Sequence, residues 1–397
     1  MGAQHPPASQ PIALYVHVPF CETKCNYCDF NTYAHLESLI PDYVEAVAAE
    51  LGAWGRALGG PPATTVFLGG GTPSWTPVAA LERMLNEARR AFPFAPDCEV
   101  TAEANPGDVT GERLDGWRKA GINRISIGIQ SFDDGLLRLL TRRHTAAEAA
   151  QAYRTARAGG FDNVNLDLMY GLPGQSLATW RSTLEQAIGL DPPHLSLYAL
   201  TVEEATPLWR DVEAGRVPRP DPDLAADMYI LAEESMAAAG YRHYEISNWA
   251  KEGRECRHNL VYWRNEPFLG IGPGAHSYLD GRRFWNIRSP AEYVRRLLEG
   301  TPAVAASPPT TPVVEEAREL TERERFAESI ILKLRLDEGV ELASLTAGPS
   351  GSRGDLHLSA LRECVGLGLV SLSEGRFRLN QRGRLLSNEV FVRLLPE

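Results

Sequence analysis

The 397-residue chain is poor in cysteine, with six unevenly spaced residues of that type. Such a pattern excludes a disulfide framework, which concentrates cysteines in a short secreted chain. No apolar run approaches the roughly 20 residues that a helix needs to cross a bilayer. The opening stretch, MGAQHPPASQPIA, has neither a basic start nor an apolar signal segment. Positive charge is also in deficit, with 40 Lys and Arg against 51 Asp and Glu and a formal net charge of −11. Nucleic-acid affinity rests largely on Lys and Arg neutralising phosphates, so this balance argues against nucleic acid as a partner. The expectation is a cytoplasmic globular protein and not an integral membrane protein. At 44% hydrophobic residues it can bury one large core and a smaller domain.

Against this scarcity, three cysteines crowd into eight residues, CETKCNYC, as Cys21, Cys25 and Cys28, directly after the apolar run 13–20. A four-iron cluster normally takes four thiolates and a closed zinc site four ligands, but this loop supplies three. The remaining cysteines, Cys98, Cys256 and Cys364, lie far away in sequence. Three ligands on one loop would hold a cluster with one iron open to a small molecule. The spacing alone leaves two alternatives, a zinc site completed by a distant His or Cys and three buried thiols.

Apolar, β-rich runs alternate with amphipathic stretches through the first half, the pattern of βα units on a parallel sheet. Strands are expected at 13–20, 64–69, 99–104, 124–130, 163–170 and 194–200. Helices are expected at 42–58, 77–92, 112–120, 145–158 and 177–190. A further helix is expected at 222–239, then YRHYEISNWA as strand or loop. The fold class is therefore α/β, a partial (βα)6 barrel with a small C-terminal α+β domain. The Pro-, Thr- and Ala-rich stretch 300–314 reads as a connector. Beyond it come a charged helix at 315–334, a helix at 355–365, a hairpin at 369–379 and a helical tail, together resembling a winged helix. The expected domains are a tail at 1–12, the barrel at 13–250, a segment and connector at 251–314 and the C-terminal domain at 315–397.

In a barrel of parallel strands the site gathers at the C-terminal strand ends. Strand one ends at the cysteine loop and strand two in GGGTP, 69–73; the later ones end in Glu103 and Asn105, Gln130, Asp167 and Tyr170, and Tyr198. A glycine run lets backbone N–H groups approach a ligand. Glu103, Gln130 and Asp167 sit in strands dominated by Ile, Val and Leu, where an unpaired polar group costs a few kcal/mol. One such residue is often a satisfied core group, whereas three at equivalent strand ends favour a ligand.

CxxxCxxC after strand one, GGGTP after strand two and acids on later strands resemble the radical S-adenosylmethionine (SAM) superfamily over residues 13 to about 250. Within it, HVPFCETKCNYCDF, FLGGGTPS, AEANPGD, RISIGIQSF, LTRRH and NLDLMYGLPGQ resemble the oxygen-independent coproporphyrinogen III oxidase group. The resemblance implies that Cys21, Cys25 and Cys28 bind three irons of a [4Fe-4S] cluster whose fourth iron is chelated by SAM. It further implies that Tyr15, Tyr27, Gly70, Gly71, Thr72 and Glu103 line SAM, with Gln130, Arg142 and Asp167 nearby, and it leaves a second SAM site open.

Two departures separate the chain from the decarboxylating oxidases. Those carry a fourth cysteine two residues after the third ligand, where this loop continues Asp29–Phe30, and a long N-terminal arm, where little precedes Tyr15. HNxxYW, present as His258, Asn259, Tyr262 and Trp263, instead resembles the heme-chaperone branch of the group, whose members bind heme and pass it on. His can ligate haem iron, and Tyr and Trp offer flat faces to a porphyrin. Cys256, His276 and His17 are secondary candidates, His17 rather as a support for the cysteine loop. The bland reading is that these residues are structural hydrogen-bonders and core aromatics. The implied function is heme binding and delivery, with heme and heme-accepting apo-proteins as partners, respiratory proteins among the candidates, and a homodimer left open. The alternative is a radical SAM enzyme acting on a porphyrin.

Overall fold

The computed structural model describes residues 10–300, 310–346 and 353–396. Most of the expected tail at 1–12 and of the connector at 300–314 lies outside the described residues.

Strand β1 (Ile12–Val18) opens a run of parallel strands continued by β2 (Ala63–Gly70), β3 (Phe94–Ala104), β4 (Arg124–Gln130), β5 (Asn163–Tyr170) and β6 (His194–Ala199). Helices α1 (Ile40–Leu58), α2 (Val78–Ala91), α3 (Gly111–Ala120), α4 (Ala146–Ala158) and α5 (Leu177–Gly189) connect them. Local signals set the helix ends. Thr145 and Glu148 form a reciprocal capping box at the start of α4, and Gly121, at φ 90°, closes α3 in a left-handed turn.

These strands alternate in character, because their two faces meet different surroundings. One face carries Leu14, Val16, Val66, Leu68, Val100, Ile125, Ile127, Val164, Leu166, Leu195 and Leu197, all buried under Leu81, Met84, Leu85, Trp117, Trp180 and Leu184 of the helices. The other face carries Tyr15, His17, Thr65, Phe67, Glu99, Thr101, Glu103, Arg124, Ser126, Asn165, Asp167, His194, Ser196 and Tyr198. A parallel sheet packed on both sides reads as continuously apolar; here the inner face is polar because it forms the barrel interior.

The sheet extends beyond the six expected strands. After helix α6 (Pro222–Ala238), YRHYEISNWA forms a strand pair, β7 (Arg242–Glu245) and β8 (Asn248–Ala250), with β8 antiparallel to β6. Helix α7 (Arg257–Trp263) then leads to β9 (Phe268–Ile271), which lies parallel to β1, and to the antiparallel strands β10 (His276–Leu279), β11 (Arg282–Asn286) and β12 (Val314–Glu319). The strand order is β12-β11-β10-β9-β1-β2-β3-β4-β5-β6-β8-β7. Residues 268–286 of the segment 251–314 thus belong to this sheet. The expected helix at 315–334 is corrected as well: its first residues are strand β12, and the helix is Glu322–Leu334. The first strand likewise stops at Val18, and Phe20–Cys21 pairs separately with Tyr33–Ala34.

The C-terminal unit combines the helices Glu322–Leu334 and Arg353–Gly366 with a small sheet of β13 (Val340–Glu341), β14 (Val370–Ser373) and β15 (Arg376–Leu379). Its own core holds Ile330, Leu334, Leu361, Phe377 and Val390. It docks on the barrel through the Ile246 and Asp337 amides, which donate to the Arg335 and Tyr244 carbonyls, and through Arg384 on Glu233, 2.7 Å. Among the described residues no helix is long and apolar enough to cross a membrane.

Candidate cluster and cofactor site at the barrel mouth

The cysteine loop crosses the C-terminal mouth of the barrel and is anchored on both sides. Asn26 donates its amide to Thr141 Oγ1, 3.0 Å, and its side chain to the Leu139 carbonyl, 2.8 Å. Opposite, Asn31 Nδ2 donates to the Pro273 and Arg288 carbonyls at 3.0 and 2.9 Å, and His17 Nε2 meets the Asn31 carbonyl at 2.9 Å. His17 therefore braces the loop, as expected.

Each thiol has its own polar neighbour. Thr72 Oγ1 donates to Cys21 Sγ at 3.4 Å, Arg142 Nη1 donates to Cys25 Sγ at 3.4 Å, and Thr32 Oγ1 lies 3.9 Å from Cys28 Sγ. Burial pushes the Cys21 and Cys28 thiols up, while Thr72 and Thr32 respectively pull them back. Among the described residues no group of three or more His, Cys, Asp or Glu converges on a single metal ion. A cluster makes a different demand, one thiolate per iron with hydrogen bonds to the sulfurs, and this donor set fits it.

The glycine run is packed, not open. Gly70 N–H donates to Glu103 Oε2 at 3.0 Å, and the Gly71 and Thr72 amides donate to the Val18 and Phe20 carbonyls, each at 2.8 Å. The expectation that these amides are available to a ligand is thereby corrected. The glycines are required by crowding: Gly70 has φ 107°, and a Cβ on Gly71 would stand 2.6 Å from the Phe20 carbonyl oxygen.

Below the loop, Glu103 on β3 and Asp167 on β5, two strands apart, both lie on the inner face. Burial, reinforced by the Asp167 charge, raises Glu103 to about 7. Asp167 is also raised by burial, against donors from Ser126 Oγ, 2.9 Å, and Asn165 Nδ2, 2.8 Å. Two raised carboxyls at a mouth suit a ligand carrying positive charge and hydroxyl donors, and SAM, with a sulfonium, an ammonium and ribose hydroxyls, is of that class. Tyr15 stacks on Phe67 with 6.3 Å between ring centroids. Arg142 donates to the Gly128 carbonyl at 2.6 Å and bonds Tyr27, and Gln130 sits beside it at a backbone bulge with φ 67°. Tyr198, 42% exposed, opens onto the mouth. Two expected neighbours do not join them. Tyr170 points outward and packs on Trp180, and Asn105 is buried, with its side chain accepting the Gly107 amide.

The HNxxYW residues lie at the opposite end. Helix α7 closes the N-terminal floor of the barrel, and Glu99 receives the Arg257 and His258 amides at 3.2 and 3.1 Å. His258 is 2% exposed, with Nδ1 2.7 Å from Thr65 Oγ1 and Nε2 2.8 Å from Tyr262 Oη. Burial and Arg124 lower its pKa to about 3. Asn259 donates to Glu245, Tyr262 packs edge-on against Phe268 at 4.7 Å, and Trp263 lies under the Arg335 guanidinium at 4.3 Å. The expected role of His258 as an iron ligand is therefore corrected for this conformation, since neither nitrogen is available. The expected porphyrin faces of Tyr262 and Trp263 are covered by protein. Sequence reasoning missed the floor partners Glu99, Arg124, His194 and Tyr244, and also the buried Glu50, which takes the Gly272 amide and the side chains of Asn286 and Tyr293. The available signal was Glu99, Thr101 and Glu103 at period two, which places all three on one strand face.

Residues 15–187 match the radical SAM superfamily and residues 320–386 the HemN C-terminal domain. Among solved structures, coproporphyrinogen III oxidase (HemN) from Escherichia coli, described as a radical SAM enzyme, superposes with a TM-score of 0.82 at 22% identity, covering 98% of this chain and 90% of that one. That likeness concerns the fold. Among curated proteins, the heme chaperone HemW of Mycobacterium tuberculosis is 40% identical over 393 residues, 98% of this chain and 96% of the relative. The heme chaperone HemW of Escherichia coli K12 is 36% identical, covering 98% and 99%. With that identity sustained across nearly the whole of both chains, this protein belongs to the HemW family of the radical SAM superfamily.

Proposed function

We propose that the chain is a heme chaperone that carries a SAM-chelated [4Fe-4S] cluster on Cys21, Cys25 and Cys28. The observation that carries the cluster is the set of three thiols, each beside its own polar neighbour, on a loop pinned from both sides of the mouth. Bound there, the cluster would supply a redox-active iron to which SAM can chelate. The protein's part is positional and electrostatic. Asn26, Asn31 and His17 fix the loop, and Arg142 and Thr72 direct donors at sulfur. Glu103 and Asp167 offer carboxyls to the cationic and hydroxyl groups of SAM, with Tyr15, Tyr27 and Gln130 around them; Gly70, Gly71 and Thr72 hold the loop backbone against β1.

Heme handling rests on family membership, since the relatives named above are heme chaperones. Heme would be cargo, taken up and passed to heme-accepting apo-proteins in the cytoplasm. In the floor conformation, Asn259, Tyr262 and Trp263 close the barrel around His258, and heme reaches that histidine only if α7 leaves Glu99 and Thr65. The test is transfer: chain loaded with heme is mixed with a heme-free acceptor, and the visible spectrum is followed. Movement of the haem band to that of the loaded acceptor supports the reading. Absence of saturable heme binding, together with SAM-dependent decarboxylation of coproporphyrinogen, would replace it with the oxidase reading.

A further inference from the structure

The histidines near the sheet differ in what their ring nitrogens do. His17, His194 and His258 each hold protein partners on both nitrogens. His276 is exposed on β10 and has no hydrogen-bond partner on either nitrogen among the described residues. Its ring is nevertheless fixed. Trp285 lies directly across the strand pair, with the two rings stacked at 26° and 5.4 Å between centroids. Stacking occupies one face of the imidazole and leaves both ring nitrogens without a hydrogen-bond partner among the described residues.

His276 stands close to the cluster loop. Sheet register runs from Tyr15 on β1 to Gly270 on β9, and a Cβ at Gly270 would meet the His276 carbonyl oxygen at 2.2 Å, so only glycine lets β10 approach this closely. The charge of His276 is felt at His17, which bonds Asn31 of the loop. Partial burial, with Arg283 and Arg288 close by, lowers the His276 pKa and favours the neutral imidazole that metals bind.

The two arginines are not equivalent. Arg283 is held by Glu328 at 2.7 Å and lies over Tyr278. Arg288 is exposed, and its guanidinium has no acidic partner among the described residues. Its carbonyl accepts from Asn31 Nδ2 at 2.9 Å, so its backbone is fixed to the cluster loop. A neutral imidazole near a guanidinium with no acidic partner among the described residues matches the iron at the centre of a heme and a propionate carboxylate at its edge.

Resting on the heme-binding reading above, we propose that His276 is the axial ligand to the heme iron and Arg288 the partner of a propionate, seating heme at the β10–β11 strand pair beside the cluster loop. The test is a hemin titration of the full-length, anaerobically reconstituted chain, read by visible absorption, for wild type, His276→Ala and Arg288→Glu. Wild type is expected to saturate near about one heme per chain. His276→Ala should move the haem bands and weaken binding by at least about tenfold, with free imidazole restoring the band positions. Arg288→Glu should weaken binding by about tenfold and leave the bands in place, since the iron ligand is unchanged. Wild-type bands and affinity in His276→Ala would overturn the assignment while leaving the heme reading intact. A wild-type chain that shows no saturable binding would overturn the heme reading itself.

Discussion

The two ends of the barrel are built from the same strands and similar residues, yet they are organised in opposite ways. At the floor, polar groups answer one another: Glu99 takes the α7 amides, His194 bridges Asn165 and Tyr244, and His258 bridges Thr65 and Tyr262. At the mouth the carboxyls are also hydrogen-bonded, Glu103 by the Gly70 amide and Asp167 by Ser126 and Asn165, yet burial raises both, and the Asp167 charge adds to the rise at Glu103. Buried polar groups that are mutually satisfied rigidify a fold, whereas groups left to perturb one another mark a place for a ligand. The contrast assigns structure to the floor and chemistry to the mouth.

Substitutions at the two ends should therefore separate stability from cofactor binding. The largest effect is expected at the mouth: Cys25→Ser should abolish cluster assembly with the fold retained, because the residue lies on a partly exposed rim loop. Iron and sulfide content, read with far-ultraviolet circular dichroism, checks this, and normal iron content would break the comparison from the mouth side. At the floor, Glu99→Ala leaves two amides without their acceptor and should cost about 2–4 kcal/mol in denaturant unfolding. Cluster content per folded chain should not change. His258→Ala should cost about 1–3 kcal/mol by the same measurement, through unpaired hydroxyls on Thr65 and Tyr262.

A smaller effect concerns pH. The folded Glu103 carboxyl is raised from 4.5 to about 7, so the folded chain holds a proton that the unfolded chain releases. Its contribution is complete below pH 4.5 and disappears as pH rises through about 7. The apo chain should thus lose stability across that window, by on the order of 3 kcal/mol from this group. Glu103→Gln should flatten part of that slope in unfolding curves taken at successive pH values. An unchanged slope would place the mouth among the satisfied sites.

Much of this organisation is legible along the sequence. The six parallel strands follow from β-rich runs between amphipathic helices, and the mouth from polar residues at their ends. Glu103 and Asp167 share the inner face, as period two requires, and Gln130 lies at the bulge that interrupts this alternation on β4. The same rule puts Tyr170 outside, because it stands an odd number of residues from Asp167. Strand β12 was not readable: Val314–Glu319 is an edge strand with mostly exposed residues, so its charges carry no alternation and resemble a helix. Nor was the floor, since the contact between Glu99 and His258 spans 159 positions and no local spacing encodes it. HNxxYW is consequently visible as a motif, while its place at the floor emerges only from the fold.

The most direct test of the central claim is electron paramagnetic resonance of the reduced, reconstituted chain with and without SAM, together with iron and sulfide analysis. The account predicts about four irons per chain and a reduced-cluster signal that changes when SAM is added, because one iron is left open by the three thiolates. Zinc in place of iron, or a cluster signal indifferent to SAM, would contradict it.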